Sequence, residues 1–151
     1  MAHTNRGKVV LGGLLAGVVI NLVEFVENAI VLKTDWAQAM QALGKSPQLS
    51  GSGIAIFNLW GFLVGITAVW IYAAIRPRYG AGVSTAVRAG LIAWFLAVVL
   101  ANVANYPLGI FPTRLLVITS VVALFETVVG TVLGAWVYKE EGMPAARSTA
   151  A

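Results

Sequence analysis

Four long apolar runs alternate with short polar stretches along this chain: Val9 to about Leu32, Ile54 to Ile75, about Ala86 to Tyr106, and Leu115 to Tyr138. Each reaches the roughly 20 residues that an α-helix needs to cross the hydrocarbon core of a bilayer. A stretch such as Leu91-Ile92-Ala93-Trp94-Phe95-Leu96-Ala97-Val98-Val99-Leu100 does not alternate in polarity, as the strands of a membrane barrel would. The pattern therefore predicts an all-α integral membrane protein, a four-transmembrane-helix bundle. It divides into a tail over 1–8, a transmembrane domain over 9–138 and a disordered tail over 139–151. The first run is longer than the h-region of a signal peptide, about 7–15 residues, and carries Glu24 and Glu27, so it is read as a retained span.

The connections have patterns of their own. Between the first two spans, Asp35 with Gln38 has capping-box spacing, and Trp36, Met40 and Leu43 share one helical face before Gly44. This predicts a short interfacial helix in the first outer loop, anchored by Trp36, followed by a flexible Ser50-Gly51-Ser52-Gly53 lead. In Arg76-Pro77-Arg78-Tyr79-Gly80-Ala81-Gly82, Pro77 is expected to end the second helix and the glycines to let the chain turn.

Composition makes lipid the solvent for these runs. The chain is 59% hydrophobic and 11% charged, against roughly 45–50% and about 25% for soluble domains. It has no Cys, its one His is His3, and Met1, Met40 and Met143 fall outside the apolar spans. Thiolate and most haem or copper chemistry is thereby excluded, so neither a metal nor another cofactor is expected. The net charge of +4 would suit nucleic acid in a soluble chain, but here the basic residues flank the spans and report topology instead. A cytoplasmic N-terminus puts Arg6, Lys8, Arg76, Arg78, Arg88, Lys139 and Arg147 inside and Lys33, Lys45 and Arg114 outside, seven against three. The expectation is a multi-pass protein of the cytoplasmic (inner) membrane with both termini in the cytoplasm.

Small and polar residues then mark the faces that meet protein. Gly13, Gly17, Asn21, Glu24 and Asn28 fall within an arc of roughly 80° on the first helix, with Glu27 at its edge. Asn58, Gly61, Gly65, Ala68 and Tyr72 share a face of the second helix. Ala93, Ala97, Ala101 and Asn105 share one on the third, and Ala123, Glu126, Gly130 and Gly134 one on the fourth. With alternating helix directions, Glu24, Glu27, Asn28, Asn58, Asn102 and Asn105 occupy the outer half and Glu126 lies near the midplane. Trp60 and Tyr72 are candidate pocket walls.

A carboxylate in hydrocarbon is costly to keep ionised, and no Lys or Arg lies well inside a span. Glu24 and Glu126 are thus the leading candidates for chemistry. Alternatively, in protonated form they hydrogen-bond across the bundle with the Asn side chains. No nucleophile with a base, no phosphate loop and no metal spacing occurs, so no enzyme is expected.

The stretches VWIYAAIRPRYGAGVSTAVRAGLIAW and LGAWVYKE are similar to those of a group of small four-helix bacterial membrane proteins without an assigned function. That resemblance covers most of the chain and implies the topology, but no catalytic or ligand residues. Size, helix count and an acid in the first helix also resemble the small multidrug resistance transporters, proton-coupled exporters that work as dimers. The segment INLVEFVEN around Glu24 lacks that family's Trp-rich surroundings.

Two main functions remain open from the sequence. One is an accessory or structural membrane protein whose polar bundle interior serves packing, homo-oligomerisation or a membrane-protein partner. The other is a proton- or cation-coupled small-molecule transporter, a homodimer using Glu24 and Glu126. Binding of a lipid or other hydrophobic molecule between helices is a third possibility.

Overall fold

The computed structural model describes residues 4–138; of the expected tails, residues 1–3 and 139–151 lie outside it. Among the described residues there are helices and no strands. Four helices are long and apolar enough to cross a membrane: α1 (Arg6–Val31), α3 (Gly51–Tyr79), α4 (Val83–Leu108) and α5 (Thr113–Val137). The short α2 (Lys33–Ala42) joins the first two.

Local chemistry moves several boundaries from where hydropathy alone puts them. The Asn5 side chain accepts from the Lys8 N–H at 3.0 Å, so α1 starts at Arg6 instead of Val9. Ser50 does the same for the Gly53 N–H at 3.1 Å, which makes Gly51 to Gly53 the first turn of α3 and not a flexible lead. Pro77 lies inside α3: so near the C-terminus it deletes little of the hydrogen-bond ladder, and Gly80 ends the helix at a φ of 84°. Asp35 is not the cap of α2, because the chain runs on from α1 through Leu32, and the Trp36 N–H bonds to the Leu32 C=O at 2.9 Å. The Asp35 carboxylate instead pairs with Arg114. Trp36 faces protein, its ring edge-on to Phe111 with centroids 5.5 Å apart.

Glycine and alanine set how closely the helices approach. α1 runs antiparallel to both α3 and α5. A Cβ at Gly65 would meet the backbone of Gly13 and Gly17, and one at Gly61 would meet the Asn21 amide. On the other side, Gly130 lies on the backbone of Ala16 and Gly134 on that of Gly12. Gly90 of α4 meets Val128 and Thr131 of α5 in the same way. In lipid this close packing takes the place of a hydrophobic driving force between helices.

The bundle is tight at one end and loose at the other. The arginine end is closed by Ala68, Val69, Tyr72, Ala73, Ala86, Ala89 and Tyr138, all buried. Tyr72 packs edge-on against Tyr138 and accepts from the Gly82 N–H, so it is a core anchor and not a pocket wall. Arg76 lies over Tyr138 and Arg88 over Tyr79. At the far end, Leu32 and Ala39 pack with Leu115, while residues 54–60 of α3 and 103–108 of α4 are exposed.

Candidate intramembrane carboxyl site

The register of α1 against α5 builds this site. Gly12 meets Gly134 and Ala16 meets Gly130, so continuing the antiparallel pair toward the far end brings Glu126 alongside Ile20 and Glu24. The carboxyl groups of Glu24 and Glu126 are close neighbours, and Glu27 lies within electrostatic range of them.

Glu27 stands seven residues after Ile20, on the buried face of α1, where the helix changes its winding. Phe25–Val31 is π-helical, and the Leu32 N–H bonds back five residues to the Glu27 C=O at 2.7 Å. The wider turn rotates every later side chain relative to a regular 3.6-residue repeat. Glu27, at the edge of the polar arc but in line with the buried Ile20 and Ala16, is the most buried residue of its turn, at 5% exposure. Asn28 bridges outward: its Nδ2 donates to Glu24 Oε2 at 2.6 Å, and its Oδ1 accepts from Trp36 Nε1 at 2.7 Å. A hydrogen-bonded chain therefore runs from α2 through Trp36 and Asn28 to Glu24, whose carboxyl lies beside that of Glu126.

Hydrogen bonding satisfies only part of the cluster. Both carboxyl oxygens of Glu27 and Oε2 of Glu126, itself 3% exposed, are buried without a partner. Buried polar atoms are rarely left so, and in hydrocarbon the cost is several kcal/mol per group, roughly. The ion pair given by Arg114 goes to Asp35, on α2. Among the described residues, no group of three His, Cys, Asp or Glu is arranged to hold a metal ion. The arrangement can hold and share protons, or receive one positive charge.

The other polar residues expected in this region go elsewhere. Asn21 Nδ2 donates to the Gly17 C=O at 2.8 Å and the Asn58 C=O at 3.2 Å, tying α1 to α3. The Asn58 side chain turns back to the Ile54 C=O, and Asn105 to the Ala101 C=O; both residues are exposed. Asn102 bonds Ser120 Oγ at 2.8 Å, while Trp94 bonds the Ser120 C=O at 2.9 Å, so these join α4 to α5. The six expected packing glycines, Gly13, Gly17, Gly61, Gly65, Gly130 and Gly134, lie on helix contacts. Gly12, Gly90 and Ser120 were not singled out by the sequence stripes. Gly12 could have been, since it stands four residues before Ala16 on the face toward α5.

Two surface grooves lie away from the carboxyls. One, between α3 and α4, is lined by Trp60, Leu63, Val64, Ala93 and Leu96 among others. The other lies between α1 and α3 near Arg6. No protein-family model, curated protein or solved structure matches the chain.

Proposed function

We propose that this small multi-pass membrane protein works through Glu24, Glu27 and Glu126, exchanging protons or an organic cation there as a proton- or cation-coupled carrier would. The observation that supports this reading is the set of buried, unpartnered oxygens on Glu27 and Glu126 beside Glu24. A packing role alone would favour cross-helix bonds to Asn side chains, and the Asn partner of this cluster, Asn28, reaches only Glu24. In the proposed orientation both termini are in the cytoplasm, the membrane is the inner one, and α2 lies at the outer interface above the carboxyls. Four closely packed helices leave little room for a path within one chain, so the carrier is a homodimer with its path between copies.

An accessory role is the second reading. It is favoured by the glycine-lined contacts and by grooves that no carboxylate lines. On that reading the unpartnered oxygens await a membrane-protein partner instead of a small cation.

Proton release separates the two. Purified protein in detergent near neutral pH is mixed with tetrabutylammonium, and the parent is compared with Glu24→Gln, Glu27→Gln and Glu126→Gln. The carrier reading requires release from the parent and its loss in the variants, all remaining folded. No release from the folded parent leaves the accessory reading standing.

A further inference from the structure

Where the glycines of α1 give out, α1 and α3 part. Gly13 and Gly17 let α1 lie directly against Ile66 and Phe62. One turn nearer the arginine end, the facing residues are Arg6, Val9 and Val10 on α1 and Ile66, Thr67 and Trp70 on α3. Between them is an open groove of about 420 Å³, with Thr4 and Arg6 at its mouth.

The groove is chemically two-ended. Its length is apolar, its wall is an indole, and its polar end carries a guanidinium at the level where α1 begins. Arg6 is exposed and makes no ion pair among the described residues, whereas Arg76 and Arg88 of the same end already lie over tyrosine rings. Trp70 is 57% exposed, and its indole N–H makes no hydrogen bond within the described protein. Indoles favour the boundary between acyl chains and headgroups, where the ring is in hydrocarbon and the N–H reaches an ester or phosphate oxygen. Arginine at that depth binds phosphate through its planar fork of donors.

We propose that this groove is a binding site for one anionic phospholipid. An acyl chain lies along Val10, Ile66 and Trp70, and the headgroup phosphate sits on Arg6. The occupant is a lipid and not a soluble anion because the charged end covers only the mouth of an apolar furrow that opens toward the membrane. The site is independent of the carboxyl cluster.

The test uses lipids whose brominated chains quench tryptophan on contact. The protein is reconstituted in phosphatidylcholine vesicles containing increasing fractions of brominated phosphatidylglycerol or brominated phosphatidylcholine. The share due to Trp70 is the difference between the parent and Trp70→Phe. The brominated anionic lipid should quench that share at about a fivefold lower mole fraction, the effect of one basic side chain at an anionic surface. Arg6→Gln should abolish the preference, and Arg78→Gln, at the same end but away from the groove, should keep it. Equal quenching by the two lipids would mean ordinary surrounding lipid and would overturn the proposal. So would a preference that survives Arg6→Gln, or one lost equally in Arg78→Gln, which would indicate diffuse surface potential.

Discussion

Replacing Gly65 by alanine adds a single methyl group at the tightest crossing of α1 and α3. An ideal Cβ there would sit 2.5 Å from the Gly17 nitrogen, 2.6 Å from the Gly13 oxygen and 2.9 Å from the Gly17 Cα. All three are backbone atoms, so no side chain can swing aside and the two helices must separate. Overpacking of this kind costs roughly 1–3 kcal/mol, while alanine in place of helical glycine returns about 0.5–1 kcal/mol. Gly7→Ala is the natural control. It gains part of that propensity, being in the first turn of α1, and its Cβ would meet nothing nearer than Asn5 Oδ1 at 3.6 Å. The two alanine variants should therefore differ by about 1–3 kcal/mol, a factor of roughly 5–150 in the unfolding constant. Unfolding in mixed micelles with rising sodium dodecyl sulfate, followed by tryptophan fluorescence, measures both. If Gly65→Ala proves as stable as Gly7→Ala, α1 and α3 do not cross where the structure puts them.

Three further outcomes follow from other contacts. Trp36→Phe keeps the ring contact with Phe111 but removes the donor to Asn28; it should cost about 0.5–1.5 kcal/mol and speed amide hydrogen exchange in α2. Asp35→Asn breaks an ion pair whose side chains are 30% and, for Arg114, 68% exposed; its cost should stay below about 1 kcal/mol and shrink in high salt. Reporters fused after Tyr138 and within residues 78–84 should read cytoplasm, and one within residues 46–52 the opposite side; the same side for all three would contradict the proposed topology.

The spans were legible because burial in lipid demands uninterrupted apolar runs, and nothing in these runs competes with that reading. Their ends were less so, since side-chain caps such as Asn5 and Ser50 extend a helix beyond its apolar stretch. Pro77 misled for a related reason: a helix near its end tolerates what its middle would not. At the carboxyl site, regular spacing placed Glu24 and Glu126 on inward faces, but it could not foresee the π-helical Phe25–Val31. A change of winding leaves no mark in the pattern of residue types, whereas the inward place of Glu27 follows from regular spacing, seven residues after the buried Ile20. Asn58, Asn102 and Asn105 were grouped with the acids by depth alone. Their short side chains instead bond to their own helix or to the nearest neighbour, as Asn58 and Asn102 do.

Infrared difference spectroscopy reads the carboxyl groups themselves. Protein reconstituted in lipid near neutral pH is perfused with tetrabutylammonium, and the protonated-carboxyl band is recorded with and without the cation, in the parent and in Glu27→Gln and Glu126→Gln. If the cluster exchanges protons for a cation, the parent loses carboxyl absorbance when the cation binds, and each glutamine variant shows a reduced or absent change. A carboxyl band that is the same with and without cation in the parent would contradict the account and leave Glu24, Glu27 and Glu126 as parts of the packing.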